Sequence, residues 1–383
     1  MKQEIYFDNS ATTRVDKEAA ELAFRVMTEE YGNPSSLHGK GMAAYRLLKT
    51  ARRQLAASLG AEEDEIIFTG SGTEADNLAL QGIANAYKKR GKHIITSAVE
   101  HPAVLNTCKM LEQAGFEITV LPVDEKGSIS MADLKKSLRR DTILVSLMLV
   151  NNEVGTIEPV REVAKLLQGC KPKPFFHVDA VQAYGKLNIK PKLWGIDLLA
   201  ASGHKIHAPK GIGFLYCGKG VRVLPLVQGG GQENGLRSGT ENLPAIAAFG
   251  LAAEKAMKNL DKNYEQVTAV RQTLLDGLAD LPDWRIHGAA DGLPHVLNIA
   301  FMGTKSEVLL HTLEEKGVYV SSGSACAAKK DSLSPVLTAM GLERAEIEGS
   351  LRFSFSVENT VEEAAAAALI VKESVAELRK ILK

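Results

Sequence analysis

The residue with the most chemical promise in this chain of 383 residues is Lys205, in the run Ser202-Gly203-His204-Lys205. It follows a strongly apolar stretch. A lysine at the end of a buried strand can be desolvated, which lowers its pKa and leaves a nucleophilic amine; a solvated surface cation is the ordinary alternative. Upstream, Asp179 closes the apolar run Phe176-His177-Val178 and precedes Gln182. A carboxylate there lies where open α/β sheets bind ligands, and it must be paired, hydrogen-bonded or protonated. It could equally cap the next helix. Further upstream, Thr69-Gly70-Ser71-Gly72-Thr73-Glu74 joins a strand to a helix. Its glycines admit a close backbone approach, the helix start favours an anion, and Ser71 or Thr73 adds a hydroxyl. The same residues also suit a plain helix cap, and no Walker or Rossmann glycine pattern accompanies them.

Singly, each motif leaves the structural reading open. Their ordered combination fits one cofactor: pyridoxal 5'-phosphate needs an anion pocket, a carboxylate facing its pyridine nitrogen and a lysine for its aldehyde. A fourth feature is Cys326, in Ser321-Ser322-Gly323-Ser324-Ala325-Cys326-Ala327-Ala328-Lys329-Lys330. This small-residue stretch reads as an exposed, flexible loop. A thiolate is the nucleophilic form of cysteine, and the neighbouring lysines favour it. No apolar periodicity exists to bury Cys326, whereas Cys108, Cys170 and Cys217 read as buried small apolar side chains.

The elements that must position these residues are legible from periodicity. Strand-like runs occur at Ile66–Thr69, His93–Ser97, Ile118–Pro122, Ile143–Leu149, Phe175–Val178, Asp197–Ala201 and Ile212–Tyr216. Helical patterns lie between several of them: one from Thr73, others at Ala103–Ala114 and Val160–Gln168. Such alternation predicts an α/β domain with a mostly parallel, seven-stranded sheet. After about Pro244 the pattern changes. One long helical stretch from Ala245 towards Leu278 leads into a smaller α+β region closed by a helix over Val361–Leu382. The expected division is a large domain over 15–258, with 1–14 and 259–383 forming the small domain and a loop at about 321–333.

Composition narrows the function class. Lys plus Arg and Asp plus Glu number 46 each, so no net charge recommends direct nucleic-acid or anionic-membrane binding. The longest apolar run, around Ile143–Val150, is far short of the roughly 20 residues that span a bilayer. The amino terminus shows no signal-peptide pattern. The four cysteines have no paired spacing, which argues against a disulfide framework or zinc site and for a reduced, cytoplasmic setting; no metal is expected.

With these residues in place, the chain resembles the fold-type I pyridoxal phosphate enzymes, and within them the cysteine desulfurases of the NifS/IscS type in the class V aminotransferase group. Further segments fit that pattern: Tyr6–Thr13, Gly32–Ser36, Glu100-His101, Asn151-Asn152-Glu153 and Arg237-Ser238-Gly239-Thr240. The resemblance implies that Lys205 bonds covalently to the cofactor, Asp179 pairs with its pyridine nitrogen and Gln182 bonds its phenolic oxygen. His101 would stack on the ring and assist proton transfer. Gly72, Thr73, Ser202 and His204 would hold the phosphate, joined by Thr240 from a neighbouring subunit, so a homodimer with shared sites is implied. Asn152 and Arg352 would hold the carboxylate of L-cysteine; a guanidinium fork suits that task. Cys326 would take the sulfur as a persulfide, leaving L-alanine, and pass it to an acceptor protein. Its loop resembles the longer, mobile type of the NifS/IscS subgroup.

Two rivals stand beside this reading. One is a class V aminotransferase or selenocysteine lyase on the same fold; the other is a non-enzymatic sulfur-relay scaffold. Members that feed iron–sulfur scaffolds carry a further carboxyl-terminal tail, and this chain ends soon after Leu382. The expected acceptor is therefore either an iron–sulfur scaffold or a tRNA-thiolation enzyme.

Overall fold

Apolar runs with every side chain buried need cover on both faces, and that requirement organises the fold. A computed structural model describes residues 4–322 and 333–381. In chain order the strands are β1 (Ile5–Tyr6), β2 (Ile66–Thr69), β3 (His93–Ser97), β4 (Glu117–Leu121), β5 (Thr142–Met148), β6 (Phe175–Asp179), β7 (Leu198–Ser202), β8 (Gly213–Cys217), β9 (Trp284–His287), β10 (Val296–Phe301), β11 (Val318–Tyr319), β12 (Ser321–Ser322) and β13 (Ser350–Ser354). The main sheet has seven strands in the order β2-β8-β7-β6-β5-β3-β4. Only β8 runs antiparallel to its neighbours; the other pairings are parallel. The expected α/β class with its mostly parallel sheet is the one observed.

Successive strand residues serve opposite faces. Ile66, Phe68, Leu199 and Ala201 enter one apolar core, while Ile67, Leu198 and Ala200 enter the other. Strands β5 and β7 are buried along their whole length, as expected of a parallel sheet with helices on both sides. A second sheet, β12-β13-β10-β9, is antiparallel. Its core includes Val267, Val270 and Leu274 of one helix and Ala367, Val371 and Val375 of another. The amino-terminal arm joins this second unit. Strand β1 pairs in parallel with β11, and Asp8 bridges to Ser354.

The single helix expected from Ala245 to Leu278 is two, Leu243–Lys258 and Leu260–Leu278. Asn259 interrupts them at φ −111°, ψ 17°, and its amide donates to the Lys255 carbonyl at 3.0 Å. A side chain that competes for helix carbonyls in this way ends a helix without disturbing its apolar period. The first helix packs against Lys17–Thr28 and Gly39–Leu59, the second against Val361–Ile381, so the break is where the chain passes from one apolar core to the other. Cys108 and Cys217 are buried, but Cys170 is only half-buried.

Just beyond β5, Glu158 is buried and accepts from the Ile129 N–H at 3.1 Å and the Ser128 hydroxyl at 3.3 Å. Burial pushes its carboxyl up to about 7 from 4.5. The folded state therefore binds a proton that the unfolded state releases between those values, and Glu158 contributes stability below pH 4.5 that is lost as the pH rises through 7. Glu158→Gln should flatten the stability profile across that window, by up to about 1.4 kcal/mol per pH unit, in urea unfolding at pH 5 and pH 8. An unchanged slope would mean that Glu158 is ionised throughout.

Candidate active site

Carboxyl ends of parallel strands point side chains and helix starts at one edge of a sheet, and here that edge opens into a cleft of about 510 Å³. Strand β2 delivers Ser71, whose hydroxyl caps the helix Gly72–Tyr87 by accepting from the Glu74 N–H at 3.1 Å. The capping and anion readings of this turn are therefore compatible: Ser71 serves the cap, while the N–H groups of Gly72 and Thr73 have no acceptor within the helix. At Gly72 a Cβ would lie 2.5 Å from Val181 Cγ2, so only glycine lets this helix start sit against the turn that follows β6, with Ser202 of β7 in ordinary contact. The Ser202 hydroxyl faces the same turn and is fully buried with no hydrogen-bond partner.

Lys205 lies in the short turn Gly203–Lys205 that ends β7. Its amine donates to the carbonyls of Ser10 and, at 2.8 Å, Ala11, so the amino-terminal arm forms one wall of the cleft. His204 Nδ1 meets the Thr12 hydroxyl at 3.2 Å. Burial and then the charges of Lys205, Lys210 and Lys186 hold its imidazole down at about 4, in the neutral form.

Asp179 is the last residue of β6, one position further into the strand than its motif suggested, and its Oδ1 accepts from the Val181 N–H at 2.9 Å. Burial raises its pKa, while His101 and Lys205 oppose that shift. His101 caps the helix Pro102–Gln113, with Nδ1 accepting from the Ala103 N–H at 3.1 Å; the neutral ring then carries its proton on Nε2. Burial lowers its pKa. Gln182 also lines the cleft and donates through Nε2 to the Ser10 carbonyl at 3.1 Å.

Behind Asp179 lie two groups to which the sequence assigned no role, Glu100 entering only as the neighbour of His101. Asp76 and Glu100 are buried side chains of the same cleft. Burial raises both pKa values well above the usual carboxyl range, with Asp179 adding repulsion at each. Glu100 accepts from the Ser97 hydroxyl at 2.6 Å and the Met148 N–H at 3.0 Å. His177 Nε2 lies 3.5 Å from Asp76 Oδ1, but burial pushes this imidazole down to about 3, so it brings no counter-charge. The interleaved strand pattern gave no sign of these contacts beyond the polarity of the residues themselves.

Arg352 projects from β13 of the second unit and is buried rather than a surface charge. Its guanidinium donates to Asp8 Oδ1 at 2.8 Å and to the Asn152 carbonyl at 3.1 Å, and its Nε has no partner. Asp8 was not anticipated either. The half-buried Asn152 lines the cleft beside it. Thr240 does not: it is exposed and lies outside the cleft lining of this chain. Cys326 lies outside the described residues. The described chain flanking it is at the cleft, since Ser321 pairs with Arg352 and Pro335 and Val336 line the wall. Ser334 donates to Glu153 Oε2 at 2.5 Å there.

The family model for aminotransferase class-V matches residues 5–366. The chain belongs to that family. Members of it use pyridoxal 5'-phosphate, and the residues present fit the group: an orphaned buried hydroxyl at a helix start, a buried carboxyl, and a lysine converge on one cleft. Among relatives, the cysteine desulfurase IscS of Methanosarcina thermophila is 44% identical over 378 residues, covering 98% of this chain and 93% of that protein. A solved NifS-like protein superposes with a TM-score of 0.92 at 38% identity, over 98% of this class V chain and all of the other. The structure described as SspA in complex with cysteine gives 0.83 at 34% identity, over 93% and 99%.

The close approach at Gly72 can be tested directly. Gly72→Ala should cost about 1–3 kcal/mol through overpacking against Val181, measured by urea unfolding, and should weaken cofactor binding in fluorescence titration. Unchanged stability and affinity would show that the helix start has room to spare.

Proposed function

We propose that the protein is a cysteine desulfurase that converts L-cysteine to L-alanine and carries the sulfur on Cys326 as a persulfide. The observation that carries this reading is that the cleft holding Lys205, Asp179 and Arg352 has a wall that leads on both sides into the segment bearing Cys326. Cys326 is four residues beyond Ser322, so it reaches at most about 14 Å from β12. The names of the relatives support the same activity, and a transaminase would not require Cys326.

Bound pyridoxal phosphate supplies an electron sink next to the carbon that carries the substrate amine. Lys205 holds the cofactor, and its amine is placed to move the proton of that carbon. Asp179 would face the pyridine nitrogen, and the burial that raises the pKa of Asp76 and Glu100 favours their neutral forms beside it. His101 would lie over the ring and present its Nε2–H. Gln182 would donate to the phenolic oxygen, and Gly72, Thr73, Ser202 and His204 would hold the phosphate. Arg352 offers its fork to the substrate carboxylate in competition with Asp8, with Asn152 alongside. The Cys326 thiolate then attacks the substrate sulfur: the C–S bond breaks, an S–S bond forms on the enzyme, and L-alanine leaves. An acceptor protein, serving iron–sulfur assembly or tRNA thiolation, receives the sulfur.

Two units, 15–258 and 1–14 with 259–383, enclose the site in this reading, and a second copy completes it. Exposed apolar side chains crowd residues 24–45, among them Phe24, Met27, Tyr31 and Leu37, the last 96% exposed. Arg52 on the adjoining helix clamps Glu233 at 2.6 and 2.9 Å, so the loop leading to Thr240 is anchored to that face. A partner subunit covering it would receive Thr240 at its phosphate. No described helix is long and apolar enough to cross a membrane.

Cys326→Ala should reduce sulfide release from L-cysteine by about a hundredfold or more, with the visible absorption of the bound cofactor unchanged; full activity in this variant would remove the persulfide step. Sharing of sites has its own test. Mixed dimers of Lys205→Ala and Thr240→Ala protomers should regain one site with wild-type cofactor affinity, because both defects fall in the other site. If both residues act within one subunit, mixing restores nothing.

A further inference from the structure

The turn that follows β6 contains a charged group with no place in the chemistry above. Lys186, four residues after Gln182, is buried. It faces a second cavity, of about 200 Å³, which Lys205 also lines. The carboxylates of that cavity are engaged elsewhere: Asp16 with Lys255 at 2.6 Å and Glu358 with Arg14 at 3.9 Å. His207 and His295 share the cavity, and burial lowers the pKa of each. Burial, followed by the charges of Lys205 and Arg352, pushes Lys186 down to about 7. A lysine nitrogen in such a place, charged or neutral, costs stability relative to an apolar side chain of similar size, so packing does not explain it.

Its hydrogen bond supplies the explanation. Lys186 Nζ donates to Gln182 Oε1 at 3.4 Å. Lysine offers donors and, when charged, no acceptor, whereas an amide presents an oxygen on one side and two N–H groups on the other. With Oε1 turned to Lys186, Nε2 must face the opposite way, and it does: one hydrogen goes to the Ser10 carbonyl at 3.1 Å, the carbonyl that also accepts from Lys205. The second hydrogen remains for a ligand in the cleft.

We infer that Lys186 is a positioning residue that locks the Gln182 amide with its N–H face towards the cofactor's phenolic oxygen, which is thereby held as an ionised acceptor. This rests on the reading, given above, that Gln182 contacts that oxygen. Without Lys186 the amide can rotate and present its own oxygen, which favours the protonated phenol.

The test uses the holoenzyme and its apo form. In Lys186→Met the pH at which the cofactor's visible absorption titrates should move upward by about one unit, and the cofactor dissociation constant should rise roughly tenfold with loss of a charge-assisted contact. The apoprotein's thermal midpoint should hold or rise, because a buried cation has been removed. In a Gln182→Ala background, adding Lys186→Met should change the titration little. Lys186→Gln replaces the methionine variant if the latter fails to fold. An unmoved titration in Lys186→Met, beside a moved one in Gln182→Ala, overturns the inference and leaves the cofactor contact standing. Equal shifts with and without Gln182 also overturn it, since Lys186 would then act by charge alone. A lowered thermal midpoint assigns it a structural role instead. If Gln182→Ala itself moves nothing, the contact with the phenolic oxygen fails, and the inference fails with it.

Discussion

One electrostatic constraint governs the cleft: three carboxyls, Asp76, Glu100 and Asp179, are buried within each other's field, and they cannot all ionise. The nearby His177 offers no relief, since burial keeps it neutral. Asp179 has the charge of Lys205 nearby and accepts the Val181 N–H, both of which favour its anion, so the negative charge is best held there, at the end of β6. A single fixed anion opposite a lysine, in a site sheltered from water, is the arrangement that a protonated pyridine ring requires. The parallel sheet supplies it by ending β6 and β7 side by side, and the helix start at Gly72 closes against Val181, just past β6, through a contact that only glycine allows.

The second unit supplies what the sheet edge lacks. Arg352 on β13 reaches Asp8 of the amino-terminal arm and the carbonyl of Asn152, joining three distant pieces of chain at the cleft. The same arm gives its Ser10 and Ala11 carbonyls to Lys205. The arm is thus part of the site itself, and the described chain enters and leaves the Cys326 segment from the same wall.

What was legible in the sequence was local. Lys205, Asp179 and Gly72 sit at ends of apolar runs, where period and residue type together fix a side chain's place, and the seven strands follow from the same runs. Groups whose meaning depends on distant neighbours were not legible. Asp8 is one residue of the arm until Arg352 meets it, and nothing in the sequence around Lys186 marks it as buried. The break at Asn259 left the apolar period intact, so two helices read as one. Thr240 carried its signal only through the family pattern, and one chain does not bring it to its own cleft.

The central claim is that sulfur leaves L-cysteine for one particular side chain. The most direct test is a single turnover with sulfur-labelled L-cysteine, trapping of persulfides with an alkylating reagent, and mapping of the labelled peptide. The account predicts reductant-labile label on the peptide containing Cys326, with one equivalent of L-alanine formed. Label on Cys108, Cys170 or Cys217, or alanine formed with no label retained by the protein, would contradict it.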